Sequence, residues 1–368
     1  MDLSTLLLDL SDGMLIQPTL DSRKSVVIDL GTRHTKAGFA GEQAPCAVFP
    51  TAEAQWHSQQ VQEGYESTYP DATETVLNYV FKNKLGIDSK DHSVLLGRSL
   101  PYVQQNQEKL VELLFEKFQV HSALLPLNNV LSLYSSGHLT GLVMELGAGT
   151  SYCVPICDGF PIKGFIMSSE VTGNKLTEFF MNLLSNRDHS FTPITTDPVL
   201  AETLKETVCS VAPNLFTALS DSPEVVYTLP DGTELRIGRE RYQCPEALFS
   251  PNLIPCVTRS IPTVISDCIK KLDTFRGKSC TTSLVSNIFL SGGGSKLTNI
   301  RERVKAEVDK CLDEFYASRS KVSLCPSGYS SWLGGSVLCC HSNYNEVAIS
   351  AEEYHEHGVN ITSLKNFF

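Results

Sequence analysis

An α/β fold made of two duplicated halves is predicted by two strand–turn–strand units of one design and by a glycine turn that enters a helix. The first unit is Val26-Val27-Ile28-Asp29-Leu30-Gly31-Thr32-Arg33-His34-Thr35-Lys36-Ala37-Gly38-Phe39-Ala40-Gly41. An apolar run ends in an acid, a glycine and small polar residues follow, and a second run closes in glycine. That order reads as two strands joined by a tight turn. The turn offers backbone N–H groups and Lys36 to an anion, and Asp29 stands where a hydrated divalent ion would be held.

The second unit, Leu142-Val143-Met144-Glu145-Leu146-Gly147-Ala148-Gly149-Thr150-Ser151-Tyr152-Cys153-Val154-Pro155, repeats the order. Two such hairpins in one chain predict an internal duplication, with the turns facing each other across a cleft. In the third element, Asn287 to Leu297, a strand enters Gly292-Gly293-Gly294 and a helix follows. Leu297, Ile300, Val304 and Val308 fall at helical spacing. Glycines at such a turn let a nucleotide approach the backbone near a positive helix end.

In this order the three elements resemble the phosphate 1, phosphate 2 and adenosine motifs of the actin, heat-shock-chaperone and sugar-kinase superfamily. Closer likeness is to actin itself. Lys36-Ala37-Gly38-Phe39-Ala40-Gly41, Val130-Leu131-Ser132-Leu133-Tyr134, Cys244-Pro245-Glu246-Ala247-Leu248-Phe249 and Trp332-Leu333-Gly334-Gly335-Ser336 are similar to actin segments and come in actin order. The resemblance covers nearly everything from Ser25 to Phe368. It implies an actin-like α/β fold, with two duplicated ribonuclease-H-like domains around a nucleotide cleft. The expected division is an N-terminal extension over 1–25, a first domain over 26–138 completed by about 325–368, and a second over 139–324.

Composition sets further bounds. A chain of 368 residues exceeds a usual single domain,. Its net charge of −11 opposes sequence-independent nucleic-acid binding, which needs a basic surface,. The twelve cysteines lack metal-ligand spacing, and Cys153 with Cys157, or Cys339 with Cys340, fits no common zinc pattern,. They read as reduced, mostly buried thiols. No apolar run reaches membrane-spanning length, so no membrane insertion is expected. Residues 1–25 carry Asp2 and no basic start, unlike a secretory signal. Leu3, Leu6, Leu7, Leu10 and Met14 share one side of a helix there, which reads either as a docking arm or as a frayed tail.

From Thr51 to Val94 the chain is much shorter than actin, whose insertion there builds the small outer subdomain gripped at the pointed end. Ala52 to Gln60 is polar and reads as loop, and a helix is expected around Thr73 to Leu85. The resemblance therefore implies a reduced outer subdomain. Leu110, Val111, Leu114, Phe115 and Phe118 lie on one helical face. Tyr134, Gly137, Ser336, Val337, Tyr354 and Phe367-Phe368 resemble parts of the barbed-end face, whose groove receives a partner's loop or helix. The stretch Tyr227 to Gly238 reads as a hairpin about Asp231-Gly232.

The resemblance also assigns site positions. Gly31, Thr32, Lys36, Gly147, Gly149, Lys205, Glu206, Gly292 and Gly293 match nucleotide-binding positions, for ATP or ADP with Mg2+. Asp29 and Glu145 match acids that hold the metal through water. Asn128 stands where actin has the glutamine that orients the attacking water, and it is one methylene shorter. Arg33 replaces a phosphate 1 glycine and either reaches a phosphate or fills its space. Ala148 replaces the second acid of phosphate 2, while Lys296, Leu297 and Gly328 replace adenine-side residues. Hydrolysis needs positioned water and preorganised charge, so at most a slow ATPase is expected.

Three assemblies suit such a chain. The first is a non-catalytic subunit that caps an actin-like filament through its barbed-end side, similar to the actin-related subunit of the dynactin pointed-end complex. Its partners would be a filament protein or other complex subunits, its place the cytoplasmic cytoskeleton, and long homopolymers are not expected. The others are a nuclear chromatin-remodelling subunit and an axonemal structural subunit. An active polymerising ATPase is the least favoured.

Overall fold

The computed structural model describes residues 25–59, 69–100, 103–187, 191–220, 224–229, 231–342 and 344–365. The N-terminal arm carrying Leu3 to Met14, as well as Gln60, Pro230 and Phe367-Phe368, lies outside the described residues.

The main elements begin with β1 (Ser25–Leu30), β2 (His34–Phe39), β3 (Ala47–Pro50), α1 (Thr51–Gln59) and α2 (Tyr69–Asn78), which runs on as a π-helix over Tyr79–Leu85. Then come β4 (Ser93–Gly97), α3 (Val103–Glu112), β5 (Ser122–Leu124), α4 (Asn128–Ser135), β6 (Gly141–Leu146), β7 (Ser151–Cys157), β8 (Phe160–Pro161) and β9 (Met167–Ser169). Next are α5 (Gly173–Ser185), α6 (Pro198–Val208), β10 (Val225–Thr228), β11 (Glu234–Ile237), α7 (Glu240–Glu246) and α8 (Ile261–Val285). The chain ends with β12 (Ile288–Ser291), α9 (Ile300–Cys311), α10 (Glu314–Ala317), β13 (Val322–Leu324), α11 (Ser330–Cys339), β14 (Ile349–Ser350) and α12 (Ala351–His357). They divide into two compact units. One takes the chain up to Val143, Ile156–Ile162 and the chain from Cys325; the other takes Met144–Pro155 and Lys163–Leu324.

In the first unit the sheet order is β14-β5-β4-β1-β2-β3, with β1 antiparallel to β2 and parallel to β4. Val26, Val27 and Ile28 are wholly buried because β1 is covered on both faces, which is why its sequence is an unbroken apolar run,. Side chains alternate along a strand. Val26, Ile28, Val94 and Leu96 join Val76, Leu77, Leu110, Val111, Leu114 and Phe115 in one core. Val27 and Leu95 turn the other way, where a Cβ on Gly335 of α11 would lie 2.8 Å and 3.0 Å from their methyl groups. Trp332 of the same helix donates from Nε1 to the Val27 carbonyl at 3.0 Å.

Helix α11 lies against α4 so closely that a Cβ on Gly334 would come within 1.8 Å of the Leu131 carbonyl oxygen. The actin-like segments Val130–Tyr134 and Trp332–Ser336 are thus two sides of one helix contact. Of the positions that resemble parts of the barbed-end face, three belong to the core of this unit. Tyr134, Ser336 and Tyr354 are buried. The Tyr134 hydroxyl donates to the Gly159 carbonyl at 3.1 Å, and Tyr354 stacks on Phe115 at 4.6 Å between ring centres. Ser336 Oγ accepts from the Gly41 N–H at 2.9 Å and donates to the Glu42 carbonyl at 3.0 Å. A polar or aromatic atom that would be costly to bury alone is satisfied inside the fold.

A correction concerns Ala52 to Gln60, expected to be a loop. Thr51–Gln59 is helix. Ala, Glu and Gln are good helix formers, and Glu53 sits in the first turn where the helix dipole favours an acid,. Tertiary contacts complete it. Ala54 is fully buried, and Glu53 Oε1 accepts from the Tyr79 hydroxyl at 2.6 Å and from Lys84 Nζ at 2.9 Å. Lys84 also lies over the Phe49 and Tyr79 rings, at 5.0 Å and 5.1 Å. The helix expected around Thr73 to Leu85 starts earlier, at Tyr69, and changes to π-helix at Tyr79. Tyr79→Phe is expected to cost about 1 kcal/mol, the net worth of one hydrogen bond, read as a fall in melting temperature.

The second large sheet has the order β13-β12-β6-β7-β8, with β9 beside β7. Ile300, Val304 and Val308 are the buried face of α9, and Leu297 precedes the helix. The Asp231-Gly232 hairpin joins β10 and β11, Gly232 at φ 88° and Asp231 Oδ1 accepting from the Thr233 N–H at 2.9 Å. In the Cys244–Phe249 segment, Glu246 Oε1 accepts from Arg303 Nη2 at 3.0 Å, and the same guanidinium lies 4.6 Å from the Phe249 ring centre. Among the cysteines six are buried, four are half-buried, and Cys46 and Cys256 are exposed; all are free thiols. Burial thus holds for half of them; Cys280 and Cys311 lie half-buried on α8 and α9, and Cys46, Cys256 and Cys325 lie in connections between elements. No described helix is long and apolar enough to cross a membrane.

Candidate functional site

The first unit presents the β1–β2 turn. A Cβ on Gly31 would lie 2.6 Å from the His34 carbonyl oxygen, so the turn is tight enough to require glycine. Asp29, at the end of β1, is 3% exposed. Its Oδ2 accepts from Lys36 Nζ at 2.9 Å, and its Oδ1 accepts from Asn128 Nδ2 at 3.1 Å. Asn128 is itself 2% exposed, and a Cβ on Gly97 would lie 2.3 Å from its Oδ1. The short amide is therefore held through its Nδ2 by Asp29, while its buried Oδ1, in the space a Cβ on Gly97 would fill, has no hydrogen-bond partner among the described residues. Thr32 is exposed at the turn and Arg33 half-buried.

Thr51 clasps this turn. Its N–H donates to the Arg33 carbonyl at 2.9 Å, its hydroxyl donates to the Gly31 carbonyl at 2.7 Å, and Thr35 Oγ1 lies 3.0 Å away. Sequence reasoning passed over Thr51. The available signal was a hydroxyl residue directly after a strand-ending proline, with Ala52-Glu53-Ala54 behind it, which marks a helix start. Thr51→Val is expected to cost about 1–2 kcal/mol, because Thr35 Oγ1 and the Gly31 carbonyl both lose a partner. Faster amide exchange over 31–35 would register the loosened turn.

The second unit presents the β6–β7 turn and two neighbours. The Gly147 N–H donates to the Thr150 carbonyl at 3.0 Å, and a Cβ on Gly147 would lie 2.5 Å from that oxygen. Gly149 lies in the same turn and Glu145 one residue before Leu146; both are half-buried. The Gly147 and Ala148 carbonyls accept from the Gly173 and Asn174 N–H groups, each at 2.9 Å, so the turn itself caps the first turn of α5,. Lys205 reaches the same place from α6: its Nζ donates to the Gly173 carbonyl at 3.0 Å and to Thr177 Oγ1 at 2.8 Å. Glu206, the next residue, is exposed.

Gly292 and Gly293 prove to differ. Gly292 has φ 83°, and a Cβ there would lie 2.5 Å from the Leu146 carbonyl oxygen, so packing on β6 alone demands glycine,. A Cβ on Gly293 would meet nothing within 4 Å, which leaves that backbone open to a ligand.

In the first unit the turn of Gly31 and Thr32, with Lys36 beside it, could meet phosphate oxygens. In the second, taken by itself, Gly147 and Gly149 lie in a like turn, Lys205 and Gly292 pack beside it, and Glu206 and Gly293 are exposed. Lys205 spends two of its three protons internally and keeps one. Direct ligation of a metal by protein is not supported. Both Asp29 oxygens have protein donors, and no group of three or more His, Cys, Asp or Glu able to hold a metal comes together among the described residues.

Comparison with known proteins agrees with the fold. The Actin family matches residues 20–69 and 61–367, and the chain belongs to that family. It is similar to actin-like protein 7A of Rattus norvegicus, at 30% identity over 373 residues that span 93% of this chain and 83% of the relative. The same protein of Mus musculus is 29% identical over 374 residues, with the same two coverages. Members of the family generally bind ATP or ADP with Mg2+.

Proposed function

We propose that the chain is a structural member of the actin family that binds nucleotide and does not turn it over efficiently. The observation that carries this is the state of Asn128. A residue that orients an attacking water needs a polar atom that reaches that water. Asn128 is 2% exposed and gives its Nδ2 to Asp29, and its Oδ1 is buried beside Gly97 without a hydrogen-bond partner among the described residues. Ala148 adds to the argument, since it leaves the second turn without the carboxylate that the family uses beside the nucleophile. Nucleotide then acts as a stabilising ligand, contributing about 2.7 kcal/mol at a hundredfold excess over Kd.

The shortened stretch between β3 and β4 supports a filament-ending role, because α1 and α2 stand where a pointed-end lobe would be gripped. A subunit of this kind would cap an actin-like filament or sit in a cytoskeletal complex of the cytoplasm, with a filament protein or other subunits as partners. Elongation of single actin filaments with the full chain added tests this. Growth should stop at one end at substoichiometric chain concentration. Unaltered growth, together with ATP-dependent pelleting of the chain alone as filaments, would contradict the proposal. Asn128→Gln, which restores reach, is expected to raise phosphate release about tenfold over the unmutated chain.

A further inference from the structure

We propose that the face formed by α8 and α10 in the second unit docks an acidic segment of a partner protein that carries apolar residues among its acids. Helix α8 bends at Gly277, whose φ 80° and ψ 168° are not helical, and the residues around the bend are exposed. Phe275 is 70% exposed and Phe315, on α10, 37%. Exposed aromatic rings with cations beside them on an acidic chain suit a partner that is both acidic and apolar.

The cations around these rings are ordered. Lys271 Nζ and the Arg276 guanidinium lie 5.4 Å and 5.9 Å from the Phe165 ring centre, with the Phe275 ring 6.1 Å away and edge-on. Lys278 Nζ and the Arg319 guanidinium lie 5.1 Å and 4.0 Å from the Phe315 ring centre. Arg319 is further held by its Nη1 donating to the Phe315 carbonyl at 2.7 Å. Cations stacked on aromatic faces lose little freedom on meeting an anion, which favours binding. A concavity of about 490 Å³ lies between Phe315 and the second half of α8, lined by Lys278, Ser279, Thr282, Ser283 and Ser286.

Charge selects the occupant. The whole chain carries −11, whereas Lys271, Arg276, Lys278 and Arg319 gather on this one face. Of the acids close by, Asp273 accepts from the Tyr316 hydroxyl at 2.5 Å and Asp313 accepts from the Tyr316 N–H at 2.9 Å, so both are engaged in holding α10. Glu314 is exposed beside them. Acids on the partner would meet the four cations, and its apolar residues would cover Phe275 and Phe315.

The test uses the full chain and two labelled peptides, one alternating Glu-Glu with Leu and Phe, the other with Lys in place of each Glu. The acidic peptide should bind, more weakly as salt rises, and the basic one should not. Arg276→Glu with Lys278→Glu should weaken binding at least about tenfold, and Phe275→Ser by about threefold, at unchanged melting temperature. Equal binding of both peptides, no binding of the acidic one, or indifference to these substitutions would overturn the proposal. So would concentration-dependent self-association in sedimentation that the same substitutions abolish, because the face would then meet a second copy.

Discussion

Gly334→Ala is expected to destabilise the first unit by about 3 kcal/mol or more, the upper range for overpacking a close helix contact. A new Cβ would lie 1.8 Å from the Leu131 carbonyl oxygen, against backbone that no side-chain rotation can relieve. Relief requires α11 to move away from α4, and Trp332 would then lose its bond to Val27. Gly335→Ala is the comparison. Its new Cβ would press on the Val27 and Leu95 methyl groups, at 2.8 Å and 3.0 Å, which can rotate, so a cost nearer 1 kcal/mol is expected,. Thermal unfolding of the two variants ranks them, and equal melting temperatures would show that the α4–α11 contact is looser than described.

Lys36→Met should cost about 3 kcal/mol, the low end for stripping the partner from a buried carboxylate. Asp29 is 3% exposed and would keep only its bond from Asn128. The cause can be separated from lost packing by a second substitution. Asp29→Asn in the Lys36→Met background removes the stranded charge and should return most of the lost stability, although either change alone is destabilising. Simple additivity of the two losses would mean that Lys36 and Asp29 do not act as a pair. The same Lys36→Met chain should also lose ATP-induced stabilisation, since it lacks a phosphate donor.

Much of the fold was legible in the sequence because its signals are local. An apolar run closing in Asp29-Leu30-Gly31, and its echo at Glu145-Leu146-Gly147, name their hairpins through periodicity and turn chemistry alone. The spacing of Ile300, Val304 and Val308 likewise names the buried face of α9. What was missed depends on distant partners. Helix α1 has a polar sequence, and Tyr79 and Lys84, more than twenty residues on, anchor its Glu53. Tyr134, Ser336 and Tyr354 resemble parts of a partner-receiving face, and their burial could not be read locally because their polar atoms find partners at Gly159, Gly41 and Glu42, or their rings at Phe115, through the tertiary fold. In the site, the shortness of Asn128 was visible, whereas its bond to Asp29 spans 99 positions and no local pattern announces it.

The most direct test is to identify the nucleotide that stays with the protein. Full-length chain is loaded with ATP and Mg2+, freed of excess, held for hours, and its bound nucleotide is extracted and separated by chromatography. Intact ATP, at about one per chain, is the predicted result, and it would place Asn128 among residues that hold the site and do not drive hydrolysis. Conversion to ADP that Asn128→Ala abolishes would contradict that reading and make the chain an active ATPase.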